Sequence, residues 1–400
     1  MKNIILVDQF VGGHHLSYIK IYYELFVEIG FNVVIVTLDA VNVKKYLEQF
    51  DCQQNKNLII CELKKRKTSE YKKNLFKRDG LRADLFKAYY AFRDFRDVRN
   101  VINANNIKGQ SQIFFLWFDT YLTKRLPAFW VDHVLPYDFA GLYFHPSRVM
   151  ARAPNGHVAR DVPFACPTLN CKKLRFVGVF DEKIARRLAE IHRREIFDTL
   201  PDIAEIYPPR LDDPLVAKIL DSANGRKIIV LVGALDKRKN LLTFIRAAKE
   251  SNGTVFFVCV GKLYSEWFSD KELDEIARTC NTYKDKLYFY GEYIESDSTF
   301  DSVISVSTVL FAAYDNFTSS SNMLYKAALH KKPIIVSGDH LMGEQVRKYK
   351  IGLALADVKP QSVLSAITNL LENKASYGFD RFLESNSREK LKELITKRIC

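Results

Sequence analysis

Short apolar runs alternate with stretches of helical period along nearly the whole chain, the pattern of strands feeding helices in βαβ units. Residues 3–8, NIILVD, predict a strand buried on both faces. Gly12 and Gly13 follow in a loop, and Leu16, Ile19, Tyr23 and Phe26 then recur at helical spacing. Residues 33–38 and 58–63 read as the next two strands, and a helical period runs from 81 to 101. Three more apolar runs, at 112–118, 141–144 and 174–180, close on Asp119, His145 and Asp181. Polar groups at the strand ends of a parallel sheet face the side where ligands gather, although a lone one more often caps a helix. A helix from 184 to about 197 completes this half, and Pro201, Pro208, Pro209 and Pro214 then break the chain.

The second half is organised around residues 227–248, KIIVLVGALDKRKNLLTFIRAA. Ile228, Ile229, Val230, Leu231 and Val232 predict a central strand that Gly233 ends. Leu241, Leu242, Phe244, Ile245 and Ala248 predict a helix, with Asn240 placed as its N-cap. Lys237, Arg238 and Lys239 lie between the two, so this turn offers cations and helix-start amides to a phosphate. Further strands are expected at 254–260, 286–290, 308–312 and 333–336, with a short one after Gly352. The prediction is an α/β chain of two Rossmann-like domains in tandem: residues 1–200, a linker at 201–214, residues 215–378, and a helical tail at 379–400. The opening GGHH loop lacks the spacing of the dinucleotide fingerprint, and Asp39 is the nearest acidic residue to the end of the second strand. A dinucleotide-binding enzyme is therefore the weaker reading of the first half.

With 400 residues the chain can bury two medium cores. Its first strand meets Asp8 too early for a signal peptide, and no apolar run approaches the roughly 20 residues that span a bilayer, so a cytoplasmic location is expected. The seven cysteines are scattered; Cys52 with Cys61, and Cys166 with Cys171, fit neither a zinc nor a redox spacing. Reduced thiols are expected. The formal net charge of +13 asks for an anionic partner. Residues 62–108 carry 14 Lys and Arg against 6 Asp and Glu, interleaved with Tyr71, Phe76, Phe86, Tyr89, Tyr90, Phe92 and Phe95. Cationic and aromatic residues on a helical face suit an anionic membrane, here through residues 64–99, whereas no nucleic-acid module is present.

Four stretches resemble the GT-B glycosyltransferases, and among them the family 4 type. They are the glycine loop at Gly12 and Gly13, GALDKRKN at 233–240, YGEY at 290–293, and FTSSSNMLYKAALHKKPIIVS starting at Phe317. The likeness spans nearly the whole chain and is strongest in the second half. It implies a GT-B fold, two Rossmann-like domains facing each other across a cleft, the second binding a nucleotide sugar. It also implies that Arg238 and Lys239, after Gly233, contact the diphosphate, and that Ser319, Ser320, Ser321 and Asn322 open a helix toward the same group. Fixed cations there stabilise the charge that grows on a leaving nucleoside diphosphate. The family's paired glutamates, eight positions apart, align with Thr318 and Lys326, and neither can do a carboxylate's work. Glu344 is the candidate replacement.

In the first half, acceptor activation needs a base. His14 or His15 would serve an inverting enzyme. A retaining one would use the Gly12 and Gly13 amides for phosphate and His145 near the transferred sugar, and Asp119 is a further candidate. No metal-ligand cluster stands out, and the resemblance implies no metal and no other cofactor. The expectation is a glycosyltransferase moving a sugar from a nucleotide-sugar donor to a glycan, lipid-linked or similar acceptor. The runner-up enzyme is another GT-B member, such as a nucleotide-sugar epimerase, and the missing glutamates leave open a catalytically silent partner or activator subunit.

Overall fold

The computed structural model describes residues 2–10, 15–50, 58–64, 80–107, 110–145, 150–152, 158–163, 166–373 and 376–400. The chain forms two compact units: Met1–Pro201 together with Arg388–Cys400, and Asp202–Ser387.

In unit 1 the strands are β1 (Asn3–Asp8), β2 (Asn32–Thr37), β3 (Ile59–Glu62), β4 (Ser111–Phe115), β5 (Asp138–Tyr143), β6 (Met150–Arg152), β7 (Val158–Pro163), β8 (Leu174–Val179) and β9 (Phe197–Thr199). Seven of them form a parallel sheet in the order β3-β2-β1-β4-β5-β8-β9, and β6 and β7 pair antiparallel on their own. Helices α1 (His15–Ile29), α2 (Ala40–Glu48), α3 (Leu81–Ala104), α4 (Ala128–Val134) and α5 (Glu182–His192) alternate with these strands. Alternate residues of β1 and β4 point to opposite sides, and both sides are covered. Ile5, Val7, Ile113 and Phe115 meet Phe95, Phe118 and Phe139 in one core. On the other face Phe114 stacks on Tyr22 and packs edge-on against Phe26 of α1.

The expected helix at 184–197 stops at His192, because Arg193 turns left-handed (φ 50°) and Phe197 then starts β9. The expected strand at 112–118 ends at Phe115, where a 3-10 turn over Phe118–Thr120 follows. Asp181 is a helix cap, accepting the Lys183 amide at 3.0 Å. Cys61, Cys166 and Cys171 are buried free thiols; Cys52 lies outside the described residues.

Unit 2 contains β10 (Lys227–Val232), β11 (Val255–Val260), β12 (Leu287–Tyr290), β13 (Val309–Ala312), β14 (Ile334–Ser337) and β15 (Gly352–Leu355). They form a parallel sheet in the order β12-β11-β10-β13-β14-β15. Its helices are α6 (Pro214–Ala223), α7 (Leu241–Glu250), α8 (Asp270–Thr282), α9 (Asp297–Ser305), α10 (Asn322–Leu329), α11 (His340–Tyr349), α12 (Pro360–Glu372) and α13 (Phe379–Ser385). Ile228, Val230 and Val232 feed one core, and Ile229 and Leu231 the other.

The proline-rich stretch before α6 is pinned to α9. Ser298 Oγ donates to the Pro208 carbonyl at 2.9 Å, and Thr299 Oγ1 to Asp213 Oδ2 at 2.6 Å. Asp301 Oδ2 accepts the Tyr207 amide at 2.9 Å, and Ser302 Oγ the Arg210 amide at 2.6 Å. A final helix, α14 (Arg388–Ile399), packs in unit 1, burying Leu391, Ile395 and Ile399. Arg398 Nη2 reaches Asp198 Oδ1 at 3.0 Å, and Arg388 Nη2 reaches Glu28 Oε1 at 2.6 Å.

In both sheets the first strand in sequence lies between its successor and a later strand, β2-β1-β4 and β11-β10-β13. The crossovers reverse direction there, and the loops leaving the strand ends part to leave a crevice. Among the described residues, no helix is long and apolar enough to cross a membrane.

Candidate functional site

The switch point of unit 2 is built on two glycines. Gly233, after β10, has φ 99°, and Gly261, after β11, has φ 137°. A Cβ on Gly261 would lie 2.0 Å from the Gly233 carbonyl oxygen, so no other residue fits. A Cβ on Gly233 would lie 2.7 Å from Lys239 Nζ. The bare backbone thus lets the Lys239 ammonium lie against the strand end, where it donates to the Val232 carbonyl at 2.8 Å and is almost wholly buried.

Asp236 shapes the loop, accepting the Lys239 amide at 3.1 Å and so capping a 3-10 turn over Lys237–Lys239. Asn240 stands at the N-cap position of α7 as expected, but in a left-handed conformation (φ 55°) and without a side-chain cap: its side-chain amide donates to the Ala313 carbonyl at 2.7 Å. Asn240 therefore ties the loop after β10 to the end of β13. The same crossing is made by the Asp315 amide, which donates to the Arg238 carbonyl at 2.7 Å. The Arg238 guanidinium lies 3.3 Å from Asp236 Oδ2, 5.1 Å from the Tyr314 ring centre and 5.0 Å from that of Phe317. Ser321 caps α10, accepting the Met323 amide at 3.4 Å. Ser319 is buried, Ser320 and Asn322 are half-buried, and Glu344 is half-buried in the second turn of α11.

Burial holds the Lys239 pKa down to about 7, with the Arg238 charge adding to the effect and Asp236 opposing it. A bound anion reverses this balance and recruits a proton. Titration with inorganic pyrophosphate, in buffers of different ionisation enthalpy, should show uptake of close to one proton at about pH 8 and almost none at about pH 6. Affinity should fall as pH rises through this range, and proton uptake that does not depend on pH would exclude Lys239 as the titrating contact.

At the switch point of unit 1, β1 ends on Asp8, which is 2% exposed. Asp8 Oδ1 accepts the Phe10 amide at 2.9 Å, and Asp8 Oδ2 lies 3.0 Å from His15 Nδ1 at the start of α1. An ionised Asp8 places the proton on Nδ1 and makes Nε2 the basic nitrogen. The imidazole packs between Phe10, at 5.1 Å, and Trp117, at 4.7 Å. His145 meets the same Trp117 ring edge-on at 5.1 Å, so the two predicted imidazoles share one aromatic wall. Asp119 is fully buried beneath it, and its oxygens accept the Phe144 amide at 2.9 Å and the His145 amide at 2.6 Å. Its carboxylate thereby positions the loop that carries His145. Gly12, Gly13 and His14 lie outside the described residues.

No protein-family model and no curated protein matches the sequence. Solved structures do match the fold. Alr3699/HepE from Anabaena, in complex with UDP and glucose, aligns over 99% of this chain and 98% of its own, at 12% identity and a TM-score of 0.64. Sucrose-phosphate synthase from Thermosynechococcus elongatus aligns over 100% and 97%, at 15% identity and a TM-score of 0.62. An alpha,alpha-trehalose-phosphate synthase (UDP-forming) from Burkholderia vietnamiensis aligns over 99% of each chain, at 10% identity and a TM-score of 0.65. The chain has the GT-B fold.

On this GT-B scaffold Thr318 and Lys326, where the resemblance leads one to expect the paired glutamates, are both interior. Thr318 is 4% exposed, and Lys326 is 7% exposed with Nζ 2.5 Å from Asp301 Oδ1 and 3.0 Å from the Glu205 carbonyl. Four residues around the two GT-B switch points, Asp8, Trp117, Asp236 and Tyr314, were not singled out from the sequence. Asp8 did carry a signal, since a carboxylate closing the first strand resembles Asp119 and Asp181. Trp117 and Tyr314 sit within or beside apolar runs and read as ordinary core. Among the described residues, no group of three or more His, Cys, Asp or Glu is arranged to hold a metal.

Proposed function

We propose that the chain is a glycosyltransferase that takes its sugar from a uridine-diphosphate donor. The observation that carries this reading is the convergence of Arg238, Lys239 and the Ser321-capped start of α10 at one switch point. Two cations and a helix start meet the charge of a departing diphosphate more strongly than that of the intact donor, which is the condition for catalysis. Uridine is favoured because the HepE structures hold UDP, UDP with glucose, and UDP-glucose. In unit 1 we assign His15, oriented by Asp8, to take the acceptor's proton, which favours base-assisted, inverting transfer. The acceptor is a glycan or a lipid-linked sugar.

Contact with an anionic membrane belongs to the same proposal. Leu81, Leu85 and Tyr89 recur on one face of α3 and are more than half exposed, beside exposed Arg82 and Arg96. Residues 65–79 of the expected membrane segment lie outside the described residues.

A second reading, the silent partner or activator, is favoured by Thr318 and Lys326 standing where carboxylates are expected. One set of measurements separates the two. UDP at 100 times its dissociation constant should add about 2.7 kcal/mol of stability, and UDP-sugars should be hydrolysed slowly in the absence of acceptor. His15→Asn should slow transfer roughly 10²- to 10⁴-fold while leaving UDP binding intact. UDP binding with neither hydrolysis nor transfer would select the silent partner. No stabilisation by any nucleoside diphosphate would remove the donor assignment.

A further inference from the structure

The two cations and the helix start of unit 2 come from loops about 80 residues apart in sequence, and a single side chain touches all three. Tyr314 follows β13 and is 5% exposed. Its ring centre is 5.1 Å from the Arg238 guanidinium and 5.4 Å from Lys239 Nζ, and its edge packs against Phe317 at 5.3 Å. Its hydroxyl meets the Ser321 side chain that caps α10. Its carbonyl is held by Ser337 Oγ at the end of β14. Loops from three adjacent strands thus converge on one residue.

We propose that Tyr314 is a positioning residue for the diphosphate: its ring is the shelf on which Arg238 and Lys239 are held side by side, and its hydroxyl fixes the start of α10 in register with them. The physical reason is repulsion. Two cations sharing one small site separate unless something holds both, and Asp236 contacts the Arg238 guanidinium alone, reaching Lys239 only through its backbone amide. The negative face of one aromatic ring attracts both. A ring also costs little conformational entropy to hold in place, so the arrangement exists before the ligand arrives.

The inference rests on the proposed UDP site, and its test separates the two. Tyr314→Leu removes the shelf, and UDP affinity should fall roughly ten- to hundredfold, while UMP, which lacks the second phosphate, should lose less than about threefold. Tyr314→Phe keeps the ring and loses the Ser321 contact, so UDP affinity should fall severalfold with UMP unchanged. Both variants are measured by calorimetry against wild type. Absence of UDP binding by the wild type removes the donor site itself. If the wild type binds UDP and Tyr314→Leu binds it equally well, Tyr314 has no positioning role. Equal losses for UMP and UDP would mark the residue as merely structural and overturn the proposal. Should Tyr314→Leu fail to fold, the phenylalanine variant decides, and UDP affinity equal to wild type then overturns it.

Discussion

Lys239→Met should yield a protein that is more stable than wild type and binds UDP far more weakly. The side chain is buried at the end of β10, and burial holds its pKa down to about 7. In the unfolded chain the same amine is an ordinary lysine, so between about pH 7 and pH 10 the unfolded state binds more protons. Stability conferred by wild-type Lys239 therefore rises with pH across that window and is poorest below it. Methionine fills much of the same volume with no charge to desolvate, at the cost of one hydrogen bond to the Val232 carbonyl. Methionine carries no charge to desolvate, so the gain should be largest at or below neutral pH and shrink toward pH 10. The same change removes the charged hydrogen bond proposed to the diphosphate, worth roughly 1.5–3 kcal/mol, so the UDP dissociation constant should rise on the order of tenfold to a hundredfold or more. Thermal melts across pH, paired with UDP titration, read both effects. A variant that is destabilised at every pH would mean that the lysine is structural and that its buried charge is compensated in the free protein.

The largest stability effect should come from Asp301→Ala. Asp301 is fully buried, its Oδ1 lies 2.5 Å from Lys326 Nζ, and its Oδ2 holds the Tyr207 amide. Burial opposes its ionisation, yet His330, Lys326 and the Tyr207 amide together hold the carboxyl below the usual carboxylate range. Removing it strands the Lys326 ammonium in the interior and cuts one of the four tethers between the proline-rich stretch and α9. Breaking one side of a buried pair costs about 3–5 kcal/mol, enough to unfold a marginal domain. Combining Asp301→Leu with Lys326→Met should recover much of the loss, because neither charge is then left unpaired. Denaturant unfolding of single and double variants tests this, and a double variant as weak as Asp301→Ala would show that the Tyr207 tether, not the ion pair, carries the stability.

Both sheets were legible in the sequence for one reason: strands buried on two faces are unbroken apolar runs, and β1, β10 and β11 announce themselves that way. What escaped was short or conditional on context. β9 has three residues, and the helix before it ends on a left-handed arginine rather than on glycine. Asn240 looks like a helix cap, but its side chain is captured by a carbonyl 73 residues away. The cations of the site were visible because they crowd a turn after a glycine. Tyr314 was not, since it meets Arg238 only once β13 is known to lie beside β10. Lys326 is the sharpest case, as nothing local marks a lysine as interior when the carboxylate that neutralises it lies on another helix.

The return of α14 to unit 1 bears on how the molecule is made. As the chain is synthesised, unit 1 emerges first but lacks the helix that contributes Leu391, Ile395 and Ile399 to its core until all of unit 2 has followed. Folding from the amino terminus onward, the usual order for domains, leaves this unit with an open apolar seam during translation. Unit 2, continuous in sequence, can complete itself while that seam waits, and Arg388 and Arg398 then fasten the last helix over it through Glu28 and Asp198. A release of the nascent chain ahead of Arg388 would leave unit 1 sticky and unit 2 whole, so the final stretch acts as a seal on the first domain.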